Sequence, residues 1–182
     1  MKIAFGFDLH NTIMRSNAAW IEAMVACSNE FFREHITKNV YNKYSRSKLA
    51  AEIGADYDEV LKQYHACVNV DDNMRSLLCS LKKNYPLYLI SASYAPKVYR
   101  DLAVWEGEKL FDEILTKECF DKDSPADWQR FLDEHDIDIL FYIGNDIDED
   151  IIESRQVVSL ISGSFLDELK GMNLLVKRGE SV

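Results

Sequence analysis

Twelve residues in this chain combine types and spacings that could place a carboxylate nucleophile beside a hydroxyl, an ammonium and a second acidic cluster. Asp8, His10 and Thr12 follow the apolar run Ile3-Ala4-Phe5-Gly6-Phe7. Ser91 and Ser93 close the apolar stretch "YPLYLI". Lys117 and Lys122 flank the segment "ECFD". Gly144, Asn145, Asp146, Asp148 and Asp150 follow "DILFYI". A carboxylate at the end of a buried strand is well placed to act as a nucleophile. A hydroxyl, an ammonium and a second acidic cluster are the partners such a nucleophile needs. His10 stands two residues after Asp8, where a second acid would make the simplest proton chemistry. An imidazole can serve as acid and base as well, with an unperturbed pKa of about 6.5.

These groups act together only if the elements carrying them converge. Residues 3–8 predict a buried strand, short, apolar and ended by polar residues. From residue 85 onward, strands over 85–93, within 111–117, over 138–146 and over 157–162 alternate with helical segments over 95–110, 124–135 and 148–156. That alternation specifies a Rossmann-like parallel sheet flanked by helices. About 70 residues of helical pattern separate the first strand from this series. Trp20, Met24, Cys27 and Phe31, with Ile21, Val25 and Phe32, predict a helix from Ser16 to about His35. Residues 38–53, ended by Gly54, predict a second, 56–68 a third, and Asp71 or Asp72 caps a fourth. A short helix and a weak edge strand are expected in the last twenty residues. The expected architecture is an α/β core, residues 1–15 and 80–182, with an all-helical cap, residues 16–79, inserted after the first strand. Trp105 and Trp128 sit in amphipathic helices and are expected in the core. Ligands of such sheets bind at the carboxyl ends of the strands, so the insert would cover the site.

The ordered set resembles the haloacid dehalogenase superfamily of hydrolases, most of which are phosphatases, and the resemblance runs the whole length of the chain. "FDLHNT" resembles the family's first motif, Asp-x-Asp-x-Thr after a strand. "LIS" ending at Ser91 resembles the second, a strand closing on Ser or Thr. Lys122 before "DSPADWQRFL" resembles the third, a Lys that opens a helix. "FYIGNDIDED" resembles the fourth, acids after a strand and Gly. The helical insert resembles the family's first type of cap.

The resemblance implies a Mg²⁺-dependent hydrolase acting on a small phosphomonoester, a nucleotide or a sugar phosphate, through an aspartyl-phosphate on Asp8. His10 would handle the proton. Thr12, Ser91 and Lys122, with Lys117 as the alternative ammonium, would hold the phosphoryl group. The metal would take Asp8, the backbone carbonyl of His10, Asn145 and Asp146, with Asp150 completing the set from behind. Two positions depart from the family's pattern: His10 stands in place of Asp, and Gly144-Asn145 in place of Gly-Asp. The departures keep two rivals in play, a dehalogenase-like hydrolase using Arg15 and Trp20, and a weakened member that only binds. Arg15 could also hold a second anionic group of the substrate. Lys43, Arg46, Lys48 and His65 are the cap residues able to reach one.

Bulk properties set outer limits. The chain has 182 residues, 47% of them hydrophobic, and a net charge of −10. That charge disfavours nucleic acid and anionic membrane surfaces as partners, while a divalent cation offsets it locally for a small phosphorylated substrate. Cys27, Cys67, Cys79 and Cys119 show no paired spacing and are expected as buried thiols in a reducing compartment. The apolar run before Asp8 is too short for a secretory signal, and no stretch approaches the ~20 residues of a membrane span. A cytoplasmic protein is expected.

Overall fold

The structure, a computed structural model, describes residues 1–161. The terminal helix and edge strand expected from the sequence lie outside the described residues. β1 (Ile3–Phe7), β2 (Leu87–Ile90), β3 (Glu113–Leu115), β4 (Ile139–Gly144) and β5 (Val157–Ile161) form one sheet in the order β3-β2-β1-β4-β5, all neighbours parallel. β1 is central, with Phe7 opposite Leu89 on one side and Ile143 on the other. The chain builds outward in both directions from β1. The crevice at its carboxyl end is therefore the topological switch point of the sheet, where ligands of open α/β folds bind.

Alternation along the strands divides the core. Phe5, Phe7, Leu87, Leu89, Phe141 and Ile143 face one side. There they meet α5 (Asp72–Lys82), through Leu77, Leu78 and Leu81, and α6 (Ala95–Ala103), through Val98 and Leu102. Ala4, Tyr88, Ile90, Leu140 and Tyr142 face the other side, against Trp128, Phe131 and Leu132 of α7 (Pro125–Glu134). Gly6 leaves room there: a Cβ on it would sit 3.1 Å from the Tyr142 ring.

Between β1 and α5 run α1 (Ser16–Cys27), α2 (Arg33–Tyr41), α3 (Arg46–Glu52) and α4 (Tyr57–Cys67). α1 and α4 pack through Trp20, which stacks on Tyr64 with ring centroids 4.1 Å apart. No helix among the described residues is long and apolar enough to cross a membrane.

Several helices differ from the sequence pattern, each for a local reason. The helix expected over 16–35 ends at Cys27, because the Ser28 hydroxyl donates to the Met24 carbonyl and Asn29 accepts from Phe31 N–H, starting a separate 3-10 turn over Glu30–Phe32. The helix expected over 38–53 is two helices, broken where Lys43 takes a left-handed backbone. The segment 95–110 splits at Glu106, also left-handed, into α6 and a 3-10 turn over Gly107–Leu110. The helix expected over 148–156 does not form beyond a single turn closed by Asp150 N–H to the Asp146 carbonyl. The Asp150 side chain is drawn inward instead, and Ile152 N–H donates to Ser159 Oγ. Trp105 and Trp128 are buried as expected. The cysteines are not: all four are free, Cys27 is half-buried and the other three are exposed. Cys67 and Cys79 stand on the outer faces of α4 and α5, which neighbouring apolar residues hide in a linear reading.

Candidate active site

Lys122 is the centre of the site. It is buried, and its Nζ lies 2.8 Å from Asp8 Oδ1 and 2.9 Å from Asp150 Oδ1. Its backbone is fixed from behind, where Trp128 Nε1 donates to the Lys122 carbonyl at 2.8 Å. Ser124 caps α7 two residues later, so the lysine enters the site at the point where the helix begins. Lys117, the alternative ammonium, is exposed and lies over the Tyr94 ring.

Burial pushes the Asp8 carboxyl above the usual carboxylate range, Lys122 opposes that shift, and Asp150 adds to it. Burial works against the Lys122 ammonium, but the two carboxylates outweigh it and raise its pKa. Contact between two such groups is stronger in a buried site than at a surface.

Asp150 holds the loop after β4. Its Oδ2 accepts from the backbone N–H of Asn145 at 2.9 Å and of Asp146 at 3.0 Å. Its Oδ1 accepts from Lys122 and from the Tyr142 hydroxyl at 3.0 Å. Burial, reinforced by Asp8 and Asp150, pushes the Tyr142 phenol well above its ordinary range. The carboxylate lies directly over Gly144, where a Cβ would come within 2.2 Å of the Asp150 side chain. Gly144 is therefore a packing requirement of Asp150.

Thr12 links the two acidic ends. Its hydroxyl is 3.5 Å from Asp8 Oδ2 and 3.2 Å from Asn145 Oδ1. Asn11 turns the chain between them with a left-handed backbone, a conformation Asn tolerates better than most residues. Its side chain then accepts from Ser16 Oγ and Asn17 N–H at the start of α1. The Asp8 carboxylate and the Asn145 amide oxygen thus flank one hydroxyl. They are hard oxygen donors, with the Asp146 carboxylate on the next residue, and this is the donor chemistry that Mg²⁺ takes. Asp146 is engaged by Lys43, whose Nζ is 2.9 Å from its Oδ2 and also contacts Glu149. Ser91 is buried at the end of β2, with its Oγ accepting from Ser93 N–H.

His10 is not loose. Its Nε2 lies 2.9 Å from Asp101 Oδ2 and its Nδ1 is 3.5 Å from Ser93 Oγ. Asp101 on α6 is completely buried, and Oδ2 also accepts from the Tyr64 hydroxyl at 3.3 Å. Sequence reasoning missed Asp101. The signal was present: a carboxylate in the apolar stripe Val98, Asp101, Leu102 of an amphipathic helix. His65 approaches the other Asp101 oxygen at 3.7 Å. Arg15, exposed, is 4.0 Å from Asp71, and Trp20 is locked in its aromatic stack.

No family model matches the chain, and no curated protein matches its sequence. Solved structures do match. A hydrolase from Streptococcus pneumoniae superposes with a TM-score of 0.66 at 14% identity, covering 92% of this chain and 97% of that one. The chain has the haloacid dehalogenase fold. A superfamily hydrolase from Ehrlichia chaffeensis gives a TM-score of 0.58 at 18% identity, covering 97% and 100%. Another from Geobacter sulfurreducens, described as subfamily IA, gives 0.57 at 14%, covering 81% and 79%.

Proposed function

We propose that the protein is a Mg²⁺-dependent phosphohydrolase acting on a small phosphomonoester, with Asp8 as nucleophile. The observation that supports this most directly is the buried Asp8–Lys122–Asp150 chain at the carboxyl ends of β1 and β4. A carboxylate kept beside an ammonium, at the switch point of a parallel sheet, suits attack on a phosphoryl group. Asp8, the His10 carbonyl, Asn145 and Asp146 would hold the metal, which when bound screens the repulsion between carboxylate and phosphate. Asp150 serves by holding Lys122 and the 145–146 backbone in place.

The first step forms an Asp8 oxygen–phosphorus bond and breaks the phosphorus–oxygen bond to the alcohol. Lys122 and the Ser91 hydroxyl hold the phosphoryl oxygens. The departing alcohol oxygen takes a proton from His10. With Nε2 engaged by Asp101, Nδ1 is the nitrogen left to carry it. In the second step water attacks phosphorus, returns its proton to His10, and releases phosphate from Asp8. The helices α1 to α4 act as the cap over this site, and the sheet with α5, α6 and α7 acts as the core. The cavity between them, about 900 Å³, suits a metabolite-sized ester.

The dehalogenase-like alternative needs Arg15 and Trp20 to hold the substrate; both line the cavity, but Arg15 is largely exposed and turned toward Asp71, and Trp20 is stacked on Tyr64. The test is phosphate release from a panel of phosphomonoesters with Mg²⁺, in wild type and Asp8→Asn. Turnover that disappears in Asp8→Asn is expected. No turnover across the panel, with beryllofluoride still binding at Asp8, refutes hydrolysis and leaves a binding protein.

A further inference from the structure

The cavity carries more positive charge than phosphate chemistry at Asp8 uses. Its walls include Arg15, Lys43, Arg46, Lys97 and Arg100, in a chain whose net charge is −10. Three of these have carboxylate partners: Arg15 faces Asp71, Lys43 bridges Asp146 and Glu149, and Arg100 lies 3.8 Å from Asp101. Lys97 and Arg46 have none within 4.0 Å among the described residues. Arg46 is held by the carbonyls of Tyr44 and Val40 and the amide oxygen of Asn17. Those contacts orient the guanidinium without neutralising it. Both cations are partly desolvated, and burial pulls the pKa of each down.

Lys97 is costly in a second way. It stands in the first turn of α6, where the helix dipole disfavours a cation. Half-buried charge without a counter-ion, at the wrong end of a helix, brings nothing to stability. An anion arriving in the cavity would offset both costs at once. Lys97 and Arg46 line the same cavity, together with His10 and Ser93 beside the reacting end, and the carboxylate whose field reaches Lys97 most strongly is Asp101.

We propose that the cavity takes a phosphoester whose other end carries a second anionic group, a carboxylate or a second phosphate, bound between Lys97 and Arg46. The proposal rests on the phosphohydrolase reading for which end carries the reacting phosphate. It narrows the substrate class from small phosphomonoesters in general to doubly anionic ones. Arg15, named from the sequence for this role, stands away from it.

Binding without turnover tests the idea independently of hydrolysis. The probes are phosphonoacetate and its two next longer homologues, the primary amide of each, and alkane bisphosphonates of matching length. Each is titrated calorimetrically with Mg²⁺ present. At the best length, a doubly anionic probe should bind at least about tenfold tighter than its amide. A winning carboxylate assigns that group, and a winning bisphosphonate assigns the second phosphate. Lys97→Met and Arg46→Met should each shrink the preference to about threefold or less, while Lys97→Arg retains it. Equal binding of acids, bisphosphonates and amides at every length overturns the proposal, as does a preference that survives both Met variants. A preference that behaves as expected in a protein that hydrolyses nothing upholds this site and refutes hydrolysis. Turnover with no preference does the reverse.

Discussion

Replacing Asp150 by Ala should unfasten the site and destabilise the whole domain. The wild-type carboxylate is 2% exposed and accepts four hydrogen bonds, from Lys122, Tyr142 and two backbone N–H groups, between 2.9 and 3.0 Å. Removing one partner of a buried ion pair costs about 3–5 kcal/mol. Each of the other three donors, if left dry, would add about 1–3 kcal/mol. Two things limit the total. Lys122 keeps Asp8, and the space vacated by the carboxylate can admit water to the N–H groups. A net loss of about 3–5 kcal/mol follows. In urea, with a slope of about 2 kcal/mol/M, the midpoint should fall by roughly 1.5–2.5 M. Asp150→Asn should lose less, since one oxygen still accepts, but its NH₂ must face another donor. The titrations belong in Mg²⁺-free buffer, so that metal binding does not shift the apparent stability. A loss below about 1 kcal/mol for Asp150→Ala, with the slope unchanged, would show that water replaces the carboxylate freely and that Asp150 does not hold the loop.

Gly144→Ala should reproduce much of that loss without touching a polar group, because its Cβ would occupy the space of the Asp150 side chain at 2.2 Å. Equal urea midpoints for Gly144→Ala and wild type would count against the packing argument. Stability should fall as pH rises above about 10, since the unfolded chain then releases phenol protons that the folded chain keeps. Burial raises the pKa of Tyr64 and Tyr142, so each adds a slope of up to about 1.4 kcal/mol per pH unit in that range. Lys122, also raised, adds to the same trend above its ordinary value. Tyr64→Phe should flatten the alkaline limb of a pH series of melts, and an unchanged limb would refute the assignment. Asp101→Asn should lower kcat for a phosphomonoester by about ten- to a hundredfold with little change in KM, a part of the loss expected for His10→Ala. Equal kcat in Asp101→Asn and wild type would show that His10 needs no orientation.

Much of the sheet could be read in advance because parallel strands buried on both faces appear as short apolar runs. β1, β2 and β4 are each followed by polar residues, so the placement of Asp8, Ser91 and the 145–150 cluster at one edge of the sheet is legible from position alone. Lys122 was found as one of two candidates, and only packing decides between them: its carbonyl meets Trp128, while Lys117 meets solvent and a tyrosine ring. The helix breaks were harder. Lys43 and Glu106 adopt left-handed backbones without being glycine, a choice that the surrounding packing imposes and no residue type announces. The irregular, non-helical course of 151–156 follows the inward turn of Asp150, whose partner Lys122 is far away in sequence. Asp101 needed a partner, His10, ninety-one residues earlier.

The ammonium of Lys43 has a consequence for traffic through the cavity. It joins the turn between α2 and α3 to two acids of the loop after β4, 103 and 106 residues away in sequence. A divalent cation taking the same Asp146 oxygen must displace it, so ion loading and this tether are thermodynamic competitors, each weakening the other by the same factor. The tether is two-thirds exposed, so it is also the part of the site that added salt weakens first. On the proposed metal site, ionic strength and magnesium concentration would act on one latch from opposite chemistries: one would screen it and the other replace it.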